Sequence, residues 1–281
     1  MRVNIKVYAT FYILFVLSGN TFALDSRCQS EARCFYSSII ARSQNNSELA
    51  KHIGEQLKIS DYKDGGICAP VAASMMLEGL LQEKNKNTVL NNEFLEGYLN
   101  RNWYENVYLI GKDSKTRFEK GGTLPLFTFR SFKKYFEKTK AEKFLKIEGD
   151  SLLLRRPKKT NKSFISDIKK NKTAFLFSLN PHTRREKKFL GVKNVWYEMD
   201  LASSHTLTIK GFEGDKLYIQ DPWGYAYFAK ANRKKFKTFR LGIGKQHTVF
   251  EPVANTGYMG KYFDKEKFRL VLEDYISVAL D

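Results

Sequence analysis

"SSHTLTIKGFEGDKLYIQDPWG", residues 203–224, reads as two strands around a tight turn. His205 opens the first strand, which runs to Phe212. The second runs from Lys216 to Gln220 and is followed by Asp221, Pro222, Trp223 and Gly224. Neighbouring antiparallel strands bring a histidine and a carboxylate together only if both face the same side of the sheet, so register decides the outcome. A two-residue loop, Gly214-Asp215, pairs positions whose numbers sum to 429 and leaves His205 and Asp221 on opposite faces. A three-residue loop, Glu213 to Asp215, pairs positions summing to 428. Asp221 then lies opposite Leu207, diagonal to His205 and on its face. A working His–Asp pair therefore requires an odd-length loop or a bulge.

Further strands are expected upstream at Thr173–Leu179 and Val195–Met199. The first half is helical. Residues 47–58 form a helix with Ser47 as a possible cap, and "GGICAPVAASMMLEGLL", residues 65–81, opens a second one. Gly65 and Gly66 loosen the backbone before Cys68, and Pro70 suits a first helical turn, where its missing N–H costs nothing. Val71, Ala72, Met75, Met76, Leu80 and Leu81 recur at helical spacing around a wide face, so this helix is buried with Cys68 at its N-terminus. Between 85 and 172, aromatic patches such as Leu126–Phe129 alternate with charged helical stretches such as Ser131–Lys140. At the C-terminus, Asp264–Ala279 reads as an amphipathic helix with Phe268, Leu272, Tyr275, Ile276 and Ala279 on one side. A helical half followed by a strand-rich half is an α+β arrangement.

The chain begins with Arg2 and Lys6, an apolar run from Val7 to Leu17, and small residues around Ala23. That is the layout of a signal peptide over residues 1–23, so a secreted or periplasmic location is expected. Residues 24–281 carry no Pro/Gly/Ser-rich linker and no repeat, which favours one domain. The net charge of +18 concentrates at Arg155–Lys159, Arg184–Lys188 and Arg233–Lys235. A basic insertion around 155–193, outside the core, is expected from these clusters. Such a surface suits an anionic surface as partner, whereas no nucleic-acid motif accompanies it. Three cysteines in an oxidising compartment leave one over. Cys28 and Cys34 are close enough in sequence to close a small disulfide loop, which leaves Cys68 unbridged.

A thiol at a helix start, a histidine and an aspartate are the parts of a nucleophilic site. The helix terminus favours the thiolate, the histidine pairs with it and protonates the leaving group, and the carboxylate fixes the imidazole's orientation. The order Cys68, His205, Asp221, Trp223-Gly224 resembles the papain clan of cysteine peptidases. "CAP" before an apolar helix, with "HTLTIKGF" and "DPWG", is most similar to its bacteriocin-leader (double-glycine) peptidase-like branch, which uses aspartate where papain uses asparagine. The resemblance implies a papain-like α+β fold with the nucleophile helix packed on an antiparallel sheet. It implies a peptide or protein substrate, and Trp223 shielding the His205–Asp221 hydrogen bond.

The family usually takes an oxyanion donor from a glutamine a few residues before the cysteine. Tyr62 stands roughly there, and the nearest upstream glutamine is Gln56. Either a longer loop lets Gln56 reach, or another donor assists the Cys68 N–H. No cofactor and no metal are implied, since no close ligand pair such as C-x-x-C is present, and a monomer is expected. A transglutaminase-like acyltransferase shares the Cys, His, Asp order but commonly has a tryptophan where Leu207 stands. A pseudo-peptidase acting as a binding module is the alternative from another class.

Overall fold

The second half of the chain builds a closed ring of strands, as seen in a computed structural model. It describes residues 34–36, 41–63, 66–87, 97–98, 100–119, 133, 135, 137, 145–151, 157–171, 173–200, 203–254, 260, 262 and 264–280. The N-terminal apolar segment, Cys28, the 126–129 patch, and Arg155 with Arg156 lie outside the described residues.

Among the described residues nine strands share one antiparallel sheet: β1 (Cys34–Tyr36), β2 (Leu145–Ser151), β3 (Ala174–Phe189), β4 (Val192–Met199), β5 (His205–Glu213), β6 (Lys216–Gln220), β7 (Ala226–Phe236), β8 (Lys245–Pro252) and β9 (Phe268–Leu280). Pairing runs β5-β6-β7-β8-β9-β3, and β3 pairs back to β5, so six strands close into a barrel. The remaining three extend it: β1 on β5, β2 on β9 and β4 on β3. The helices are α1 (Ser47–Leu57), α2 (Cys68–Asn87), α3 (Trp103–Asp113) and α4 (Asn161–Asn171). This is the α+β, papain-like arrangement expected, with α2 against the sheet.

Three apolar clusters hold these parts together. Phe175, Phe177, Leu207, Ile209, Leu217, Ile219 and Phe250 fill the barrel, joined by Phe164 and Ile168 of α4. Ala72, Met76, Leu80 and their neighbours press α2 onto Leu176, Ile276 and Val278. Leu49, Ile53, Ile67, Val71 and Val107 join α1 and α3 to the start of α2. The α1 cap is Asn46, whose side chain accepts from the Leu49 N–H at 3.0 Å, one residue before the Ser47 expected.

Two expectations change. The C-terminal segment is a strand, β9, not a helix. It lies between β3 and, at its two ends, β8 and β2, so it is buried on both faces and lacks the alternation of a surface strand. A bulge at Glu273 also reverses its faces: Leu270 and Leu272 enter the barrel, whereas Ile276 and Val278 face α2. The resulting apolar spacing imitates a helix.

The stretch around 155–193 is likewise no simple appendage. Residues Phe175–Leu179 pair with both β5 and β9 in the barrel wall, and Phe164 and Ile168 are fully buried. Lys159 pairs with Asp167 and lies over the Tyr275 ring at 5.5 Å. The far end, Arg185–Lys188 with the turn at Leu190–Lys193, stands exposed.

Phe177 is 1% exposed and stacks on Phe250 at 4.7 Å. Phe177→Ala should cost about 3–5 kcal/mol of unfolding free energy in urea titration. A loss under about 1 kcal/mol would contradict this packing.

Candidate active site

The hairpin that carries His205 and Asp221 meets the register requirement by the second of the two routes. Its loop has two residues: Glu213 pairs with Lys216, and Phe212 with Leu217. The ladder then slips at Lys210, so that Ile209 pairs with Ile219 and Thr208 with Gln220. One bulged residue changes the pairing sum from 429 to 428, and the His205 and Asp221 side chains meet with Nε2 2.9 Å from Oδ1.

Asp221 is fully buried and receives two further hydrogen bonds. The Trp223 N–H donates to Oδ1 at 2.8 Å and the Tyr227 hydroxyl to Oδ2 at 3.0 Å. Its own backbone closes the turn, with its N–H donating to the Tyr225 carbonyl at 2.8 Å and its carbonyl accepting from Gly224 at 2.9 Å. Gly224 adopts φ 88°, in the region open to glycine, which allows this tight reversal. Trp223 is half-buried, its ring centroid 5.5 Å from that of His205.

Cys68 is the first residue of α2 and is not in a disulfide. Gly66, two residues earlier, has φ 94° and so permits the turn into the helix. Val71 to Leu77 are all buried, so the helix start cannot shift without repacking the core. Thr208 of β5 reaches the Ala72 carbonyl at 3.4 Å and ties the first turn of α2 to the histidine strand. The thiol and Asp221 are both partners of the His205 ring. Burial works to lower the imidazole pKa, but the hydrogen bonds to Asp221 and Cys68, with their charges, outweigh it and raise it to about 9.

Among the described contacts, none ties Gln56 to Cys68, His205 or Asp221. Gln56 is exposed in the last turn of α1, about 15 Å along the helix from its capped end. Gln44 lies at that capped end instead. It is 5% exposed, its N–H donates to the Pro222 carbonyl at 2.6 Å, and the preceding Ser43 bridges to Trp223. Arg42 of the same segment donates its N–H to Met75 Sδ at 3.1 Å and pairs with Glu78 at 2.7 Å, both on α2. Residues 42–44 thus run between the cysteine helix and the aspartate turn. The whole of α1 separates Gln44 from Cys68 in sequence, which hides it from a search just upstream of the cysteine. Tyr227 was also missed, although its place two residues into a strand paired with β6 could have marked it.

A second buried carboxyl stands behind the site. Asp274 bonds to Ser178, whose hydroxyl lies 3.1 Å from that of Thr206, next to His205. Burial, opposed by Ser178, raises its pKa to about 7. Cys34 is in β1, but its expected partner Cys28 is outside the described residues. Among the described residues no cluster of His, Cys, Asp and Glu is arranged to hold a metal.

The Peptidase_C39 like family matches residues 38–247, a span that contains Gln44, Cys68, His205 and Asp221. No curated protein and no solved structure matches the chain.

Both raised groups act on stability in one direction, because each binds its proton more tightly folded than unfolded. Asp274 stabilises fully below its ordinary pKa of 3.8, and that contribution is lost as pH rises through about 7. His205 does so below 6.5, with loss as pH rises through about 9. Unfolding free energies measured across this range should fall in two stages. Asp274→Asn should remove the lower stage alone, and an unchanged lower stage in that variant would refute the assignment.

Proposed function

The chain belongs to the Peptidase_C39 like family, and from that premise we propose that it is a papain-like thiol hydrolase cleaving peptide bonds. The observation that carries this reading is the His205 ring, shared between the Cys68 thiol and a fully buried Asp221 carboxylate. In the resting site the proton belongs on the imidazole, where Asp221 and the thiolate both stabilise it, and the helix start stabilises the thiolate.

The Cys68 sulfur attacks the scissile carbonyl carbon, and the carbonyl π electrons move onto oxygen. The Cys68 N–H and the Gln44 side-chain amide donate to that oxyanion. As the intermediate collapses, the C–N bond breaks and His205 gives its proton to the departing amine, leaving a thioester. Neutral His205 then takes a proton from water as the water attacks the thioester. Collapse releases the acid, and the site returns to thiolate and imidazolium. Asp221 stays ionised throughout and keeps the ring aimed at sulfur.

Export fits this reading, since the apolar start has the layout of a signal peptide and Cys28 with Cys34 would be the pair oxidised outside the cell.

Iodoacetamide should alkylate Cys68 at mildly acid pH, and His205→Ala should slow that reaction. In a peptide-library assay Cys68→Ala should abolish turnover, while Asp221→Asn should be milder because asparagine still accepts from the ring. Gln44→Ala should lower kcat about a hundredfold, and Gln56→Ala should change nothing. Turnover unaffected by Cys68→Ala would refute the proposal, and a Gln56 effect exceeding that of Gln44 would reassign the oxyanion donor.

A further inference from the structure

Two hairpins end side by side on the barrel. β3 continues past Leu179, which pairs with His205, and joins β4 at a turn through Leu190 and Gly191. β7 and β8 are joined by residues 237–244. The Tyr197 N–H donates to the Lys237 carbonyl at 2.8 Å, Asn194 Nδ2 to the Arg240 carbonyl at 2.8 Å, and Lys237 Nζ to Asn194 Oδ1 at 3.2 Å. Behind these bonds Phe236 stacks on His247 at 4.2 Å and meets Tyr197 at 5.1 Å. The tips therefore belong to one surface rather than to two independent loops.

That surface presents apolar side chains to water. Leu190 is 86% exposed, Val192 69%, Phe239 72%, Leu241 94% and Ile243 83%. Singly exposed apolar residues are ordinary, but five on two joined tips need an explanation. Cations surround them. Residues 184–199 and 234–245 hold ten lysines and arginines against two carboxylates, Glu186 and Glu198. Both carboxylates are already paired, Glu186 with Arg184 at 2.7 Å and Lys193 at 3.0 Å, and Glu198 with Arg185 at 2.9 Å.

Short apolar side chains that enter the acyl boundary, ringed by cations at headgroup level, are what an interfacial membrane contact requires. A soluble polyanion would use the cations but has no place for the leucines, whereas an apolar protein partner would not need so dense a positive rim. We propose that the two tips dock the protein on an anionic phospholipid surface, with Leu190, Val192, Phe239, Leu241 and Ile243 inserted and Lys193 and Arg240 among the headgroups. The tip of β3 is about 35 Å along the strand from the residue opposite His205. Docking there leaves the thiol site open to substrate.

The test is co-sedimentation of the full chain with phosphatidylcholine vesicles, with and without a third of phosphatidylserine. The apolar N-terminal segment is common to every variant, so differences between variants report on the hairpins. Wild type should prefer the anionic vesicles. The triple variant Leu190→Ser, Leu241→Ser, Ile243→Ser should lose about a hundredfold in affinity with its melting temperature unchanged. Each cation reversed among Lys187, Lys188 and Lys193 should cost about fivefold or more. In otherwise wild-type protein, Phe239→Trp emission should shift to the blue on anionic vesicles, which reads insertion without removing any apolar group. Equal binding of wild type and triple variant, an emission unmoved by vesicles, or binding to heparin with none to anionic vesicles would each overturn the proposal.

Discussion

A buried negative charge organises the site. Asp221 has no exposure to water, so its ionised form must be compensated within the protein. The three groups that compensate it come from three places: the His205 ring from the start of β5, the Trp223 N–H from the turn itself, and the Tyr227 hydroxyl from β7. Removing one partner of such a buried pair typically costs about 3–5 kcal/mol, so these elements are held in one geometry by a shared electrostatic demand. The adjoining Pro222 carbonyl extends the constraint to the N-terminal side by accepting from Gln44.

The cysteine is fixed by different physics. The position of the first turn of α2 follows from apolar burial on nearly every side, with Ala72 and Ala73 small enough to admit close contact. Such a helix shows little amphipathic contrast because it has almost no wet face. The nucleophile thus rides on a packed core and its base on a polar network. The two meet where Thr208 touches the Ala72 carbonyl. Close packing resists displacement and hydrogen bonds resist rotation, so the pair is constrained in both respects.

What the sequence disclosed was chiefly local. The hairpin at 203–224 and the helix from Cys68 are each written within about twenty residues, and even the parity problem could be posed from residue numbers alone. The choice between an odd loop and a bulge could not be read, because Lys210 carries no mark distinguishing a bulged residue from a paired one. Gln44 was hidden for a topological reason: an intervening helix returns the chain to the site before the cysteine begins. β9 was misread because its signal depends on distant partners. A strand buried on both sides, and bulged in the middle, has no period of its own. Closure of the barrel by β3 and β5 is equally nonlocal, since it joins 175–179 to 205–209 across the whole β4 excursion.

The bulge at Lys210 also bears on how this hairpin can change over time. An even loop with one bulge and an odd loop with none have the same parity, and parity is all that keeps the imidazole and the carboxylate on one face. A single-residue insertion or deletion anywhere between His205 and Asp221 reverses it. A second event within the same short span restores it, at whichever position it falls. Relatives that keep the chemistry are therefore free to move the irregularity between strand and turn, and the length of this segment should vary among them in compensated pairs or not at all.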